Sequence, residues 1–122
     1  MEPEIENALL ADTLIDLTTV GRQTGQPRRI EIWFHYVDGK VYITGTPGTR
    51  GWYANMLSNP DVTFHLKQSI QKDIPARAIP IKEVDEKRRL FQRMYELEER
   101  MRGANIEDRV SRGPLVEIQL TS

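Results

Sequence analysis

The sequence contains no cysteine. That absence excludes a disulfide framework, a thiolate metal site and a thiol nucleophile, and leaves any redox chemistry to a borrowed cofactor. Charge of one sign is lacking as well. With 17 Lys and Arg against 18 Asp and Glu the net charge is −1, so no global field recruits nucleic acid and any basic site must be local. No apolar run is long enough to cross a bilayer, and the acidic start Met1-Glu2-Pro3-Glu4 has neither the basic nor the apolar region of a secretory signal. The expectation is a soluble, cytoplasmic protein without membrane insertion, whose partner is a small molecule rather than a nucleic acid. Familiar catalytic patterns are missing too: no P-loop, no Ser or Cys nucleophile motif and no paired carboxylates stand out, so no catalytic residue is assigned. His35 and His65 are separate strand residues without a third ligand, which argues against a metal site.

What is present reads as one domain spanning all 122 residues. Ile5, Ala8, Leu9 and Ala11 suggest a short amphipathic helix, followed by an extended stretch from Leu14 to Thr19 that ends at Gly21. Ile30, Ile32, Phe34 and Tyr36 alternate with Glu31, Trp33, His35 and Val37. Asp38-Gly39 then offers the positive φ angles of a tight hairpin before Val41 to Thr44. Thr49 is placed to cap a short helix from Arg50 to Ser58, which Asn59-Pro60 ends. Strands return at Val62 to Leu66 and at Ala76 to Ile81; Pro75 and Pro80 lack donors, so the second of these is expected at an edge or broken. From Asp85 to Arg102 the spacing of Leu90, Met94, Leu97 and Met101 predicts one long helix stopped by Gly103, with that stripe as core or, alternatively, a dimer contact. Asp108 to Arg112 reads as a charged loop, in which Arg109 or Arg112 could close over a ligand, and Leu115 to Leu120 as a closing strand. The fold class is mainly β (α+β), a small antiparallel barrel with a short helix after the central hairpin and a long one before the last strand.

Two segments carry the chemistry. Arg22, Arg28 and Arg29 cluster in a loop with Gly21, Gly25, Thr24, Gln23 and Gln26, where guanidinium groups, a hydroxyl and inward-turned N–H groups would attract phosphate or carboxylate. The plain alternative is a solvated hairpin turn. The second segment, Gly45 to Asn55, combines Gly45, Gly48 and Gly51 with Arg50 at a helix start, again a setting that anions favour. Its glycine spacing is not the dinucleotide fingerprint and no βαβ unit surrounds it. Trp33 and Trp52 are either core residues or flanks for a planar ring. Two anion-attracting turns at the ends of a strand pair suit a phosphorylated cofactor laid across a sheet.

The run Leu17 to Arg28, then Ile30-Glu31-Ile32-Trp33-Phe34, then Arg50-Gly51-Trp52-Tyr53-Ala54-Asn55 with Asn59-Pro60-Asp61-Val62, resembles the deazaflavin-dependent nitroreductase family. The resemblance implies that family's split β-barrel, the fold also used by pyridoxamine-phosphate oxidase and flavin reductases. It implies as cofactor the deazaflavin coenzyme F-420, with FMN the alternative from related branches. By position, Arg22, Gln23, Thr24 and Arg28, with Gln26 and Arg29 beside them, would hold the phosphate and acidic tail. Trp33 and Thr44-Gly45-Thr46 would underlie the ring, and the turn Gly48 to Trp52, with Arg50, would close one side. Hydride would pass from the reduced cofactor to a quinone, nitroaromatic or activated alkene, in a homodimer. Gln23 stands where the family often has Lys, and no tyrosine occurs from Met101 to Ser122, where the best-known nitroreductases carry theirs. The remaining alternative is a non-catalytic binder of a flavin-like or other planar ligand.

Overall fold

The computed structural model describes residues 2–45, 51–103 and 105–121. Helix α1 (Pro3–Ala11) leads into β1 (Leu14–Val20), whose Ile15, Leu17 and Thr19 are buried in strict alternation. The arginine loop then returns the chain along β2 (Pro27–Trp33), antiparallel to β1 from Leu14↔Trp33 to Val20↔Pro27. At Phe34 the strand breaks. Its N–H donates to the Thr13 carbonyl at 3.0 Å, its carbonyl accepts from Arg100 at 2.6 Å, and its ring meets Phe64 edge-on at 5.6 Å. Beyond it β3 (His35–Val37) forms a hairpin with β4 (Lys40–Thr44) through Asp38 and Gly39 at φ 51° and 80°, as expected of a turn needing two positive φ angles.

The expected alternation holds through the break. Ile30, Ile32, Phe34 and Tyr36 all pack on the first core, while beyond the bend the opposite face is covered too, with His35 buried and Val37 part of a second core. After α2 (Gly51–Ser58) come β5 (Asp61–Leu66), β6 (Lys72–Pro80) and, past the later helices, β7 (Leu115–Leu120). The sheet order is β2-β1-β5-β6-β7-β4-β3, and every pairing is antiparallel. The run 27–37 therefore supplies both edges of one sheet, which curls around its core as a split β-barrel.

The proline-bearing strand is not at an edge: β6 lies at the centre of the sheet. Register explains it. On the β7 side pairing starts at Ala76↔Leu120, and Pro75 lies just beyond it, its carbonyl accepting from Thr121. The Pro80 nitrogen points toward β5, which ends at Asp61↔Arg77. Each missing donor thus falls where a neighbouring strand has already run out.

The expected long helix is also interrupted. Helix α3 (Val84–Leu97) is capped by the Glu83 carboxylate, which accepts from the Asp85 and Glu86 N–H groups, and it stops at Glu98, extended at φ −124°, ψ 115°. A 3₁₀ turn (Glu99–Met101) follows, and Glu98 meets Arg100 at 2.8 Å. The expected loop at 108–112 is helix α4 (Ile106–Arg112), with Asn105 accepting from the Asp108 N–H at 3.0 Å. Leu90, Phe91, Met94 and Met101 join Val37, Tyr42, Val110 and Leu115 in a second core between α3, α4 and the sheet, while Leu97 is exposed. The stripe is core rather than a free face. The Thr49 cap expected for α2 lies outside the described residues.

Candidate active site

The arginine loop folds back on itself. Gly21 N–H donates to the Gln26 carbonyl at 2.8 Å, Gly25 N–H to the Gly21 carbonyl at 2.9 Å, and Gln26 N–H to the Thr24 hydroxyl at 3.2 Å, with Gly25 at φ 70° making the turn. Asn55 on α2 locks the loop from outside: its Oδ1 accepts from the Arg22 N–H at 3.1 Å and its Nδ2 donates to Thr19 Oγ1 at 3.2 Å. The backbone N–H groups of Gly21, Arg22, Gly25 and Gln26 are therefore spent within the protein, which leaves the side chains as the main groups offered to an anion.

Those side chains meet in a hollow of about 460 Å³, lined by Arg22, Gln23, Thr24, Arg28 and Trp52 together with Thr19, Gly21, Ile30, Gly51 and Asn55. Among the described residues no carboxylate lines it, and neither Arg22 nor Arg28 has an acidic partner. Its two guanidinium groups, free hydroxyl hydrogen and aromatic wall fit a phosphate joined to a planar group.

Arg29, one residue on, points through the other face of β2. It binds Asp16 at 3.0 Å and lines a separate hollow with Lys67, Lys72 and Asp73, where Lys67 also pairs with Asp16 at 2.7 Å and with Glu31, and Lys72 with Glu2 at 3.0 Å. The bond from Lys67 above all, with Arg29 adding, holds the Asp16 carboxyl below its usual range in spite of burial. Cations there are neutralised within the protein. Gln26 is exposed and lines neither hollow. His65 spends both ring nitrogens, on Thr18 at 2.7 Å and Asp73 at 2.6 Å, and no metal-holding cluster occurs among the described residues.

Trp33, Thr44 and Gly45 come together elsewhere, in a hollow of about 240 Å³ completed by His35, Arg100, Met101 and Arg109. Arg109 Nη1 donates to the Gly45 carbonyl at 3.0 Å, and burial pulls this guanidinium below its ordinary value. The Arg100 guanidinium lies 5.1 Å from the centroid of the Trp33 ring, whose residue is 54% exposed. Glu98 sits between His35 and Arg100. Burial pushes its carboxyl up, but the bonds to His35 and Arg100 outweigh that and leave it below the usual range. Thr46, Gly48 and Arg50 lie outside the described residues; Gly45 and Gly51, on either side of that segment, line the second and first hollows respectively.

Thr19 and Asn55 in the first hollow, and His35, Arg100 and Met101 in the second, were not singled out as site residues by sequence reasoning. Asn55 stood within the motif Trp52-Tyr53-Ala54-Asn55 and was open to notice; the others depend on the bend at Phe34 and the early end of α3.

A model of the F420H(2)-dependent quinone reductase family matches residues 4–118. The chain belongs to that family. It is accordingly an oxidoreductase that uses coenzyme F-420, and the deazaflavin takes precedence over FMN. Solved structures share the fold. A conserved hypothetical protein from Mycobacterium tuberculosis superposes with a TM-score of 0.75 at 17% identity, covering 100% of this chain and 81% of that one. A pyridoxamine 5′-phosphate oxidase so described from Listeria innocua gives 0.71 at 16% identity, over 99% and 95%. A structure described as an F420-H2 dependent reductase gives 0.63 at 20% identity, over 88% and 94%. No helix among the described residues is long and apolar enough to cross a membrane.

Proposed function

We propose that the hollow of Arg22, Thr24 and Arg28 holds the phosphate-bearing end of coenzyme F-420, with Trp33, Thr44 and Gly45 under its ring and Trp52 closing one side, and that the enzyme reduces a small organic acceptor: a quinone, nitroaromatic or activated alkene. The observation that carries this reading is the pair of guanidinium groups lining one hollow, with neither an acidic partner nor a lining carboxylate among the described residues. When bound, the reduced deazaflavin supplies hydride. The protein binds and orients it. Arg22 and Arg28 each offer charge-assisted hydrogen bonds, Thr24 offers its hydroxyl hydrogen, and Asn55 keeps the loop at a fixed distance from α2. Gln23 lines the same hollow and adds an amide donor without charge.

The reading includes a cytoplasmic homodimer. Support comes from exposed Leu57 at 46% and Trp33 at 54%, and from the outer edges of β2 and β3, which have no partner strand among the described residues. Sedimentation or light scattering of the purified protein checks it, and a monomer at micromolar concentration would remove it.

Replacing both arginines tests the site. Hydrogen bonds to charged groups contribute about 1.5–3 kcal/mol each, so Arg22→Ala with Arg28→Ala is expected to weaken F-420 binding on the order of 100-fold or more, read by deazaflavin fluorescence. Circular dichroism should be unchanged, because both side chains are exposed. Undiminished affinity in a folded double variant would sink the assignment.

A further inference from the structure

Ordering an exposed side chain costs conformational entropy, and a ligand that needs the side chain in one place bears that cost on binding. Trp33 is 54% exposed, and it has a neighbour that the cofactor reading leaves unused. The Arg100 guanidinium lies over the indole at 5.1 Å from its centroid, within the range at which a cation is attracted to an aromatic face.

Arg100 is itself held. Its Nη2 donates to the Phe34 carbonyl at 2.6 Å and to Glu98 Oε1 at 2.8 Å, and the other Glu98 oxygen bonds His35 Nδ1. The turn that carries it is fixed as well. Glu98 N–H donates to the Met94 carbonyl at 2.8 Å, Met101 N–H to the Glu98 carbonyl at 3.0 Å, and Met101 is buried in the second core. In a continuous helix residues two apart do not face each other, so Glu98 could not grip Arg100. The early end of α3 brings them together. Phe34, whose carbonyl takes Arg100, and His35, which takes Glu98, directly follow Trp33 in the chain, so one bracket grips both the indole and the backbone beside it.

We infer that Arg100, anchored by Glu98 and the Phe34 carbonyl, is a positioning residue that holds the Trp33 indole ready as a platform for the cofactor ring. The inference rests on the reading that places Trp33 under that ring. Arg100 covers one face of the indole and leaves the other for the ligand. A platform ordered before binding spares the ligand the entropy of ordering it.

The indole is read first, without cofactor. The chain has two tryptophans, so Trp52→Phe leaves Trp33 as the one emitter. Adding Arg100→Gln, which keeps amide donors but removes the cation, should speed the nanosecond depolarisation of that emission; Arg100→Lys, which keeps the cation, should restore most of the slower decay. Affinity is then read by deazaflavin fluorescence in the protein with both tryptophans. Arg100→Gln should weaken F-420 binding about five-fold, the order of one cation–π contact, and should change nothing further in a Trp33→Ala background. Losses of equal size with and without Trp33 would overturn the positioning role, because Arg100 would then act without the indole, and an unchanged decay would overturn it too. Should Arg100→Gln not fold, Glu98→Gln keeps the arginine and removes the charge that anchors it; the decay should again quicken, and an unchanged one would overturn the role. Failure of the wild type to bind F-420 would remove the cofactor reading and the platform with it, whereas a wild type that binds F-420 no better than Arg100→Gln would strike this inference alone.

Discussion

Asn55 does two things with one amide: Oδ1 accepts from the Arg22 N–H and Nδ2 donates to the Thr19 hydroxyl. Asn55→Asp retains the acceptor, loses the donor and brings negative charge to a hollow that otherwise has none. F-420 should bind this variant more weakly than it binds Asn55→Ala, and the gap between the two should narrow at high salt; equal affinities would mean that the hollow does not hold an anion. Arg28 and Arg29 illustrate how much a residue's role depends on one step along a strand. Successive strand residues face opposite sides, so one lines the hollow and the other pairs with Asp16. The cluster of three arginines was legible in the sequence. The alternation of β2 already separates them, since Arg28 shares a face with Ile30 and Ile32 and Arg29 takes the other, but a reading by clustering alone puts all three in one site.

Elements were legible where a local signal sufficed. Asp38-Gly39 dictates its hairpin, and Asn59-Pro60 ends α2 at Ser58, as the sequence suggests. Helix α4 had its signal too, in the Asn105 cap, acids at Glu107 and Asp108 and bases at Arg109 and Arg112, but a stretch so polar reads equally as a loop until Val110 is seen to be buried. The end of α3 was hidden because it is tertiary: Glu98 leaves the helix toward His35, more than sixty residues earlier. The join between α4 and β7 is tight. A Cβ at Gly113 would lie 2.7 Å from the Arg109 carbonyl oxygen. Gly113→Ala should therefore destabilise the protein by about 1–3 kcal/mol, as overpacking does, measured by urea unfolding. The same change at Gly25, which meets nothing within 4 Å but has φ +70°, should cost only about 1 kcal/mol. Equal losses at the two positions would contradict the packing argument.

For the molecule as a whole, α1 is fastened to the sheet by Tyr36, whose hydroxyl donates to Glu6 at 2.5 Å. Burial first, and the neighbouring Glu6 carboxylate second, raise this phenol from 10.0 to about 12. A folded-state value above the unfolded one favours the protonated form in the native state, so its contribution is whole below pH 10 and is lost as pH rises toward about 12. Melting temperatures from pH 9 to 12 should accordingly fall more steeply for the wild type than for Tyr36→Phe, and parallel curves would contradict the assignment. The sheet also carries a topological consequence. Because the run from Pro27 to Val37 passes through both edges, its two rims are joined by covalent bonds across Phe34 as a hoop is joined at its weld. A few glycines inserted next to Phe34 should speed amide hydrogen exchange in β2 and β3 together, whereas the same insertion between Asp38 and Gly39 should loosen only the β3 rim.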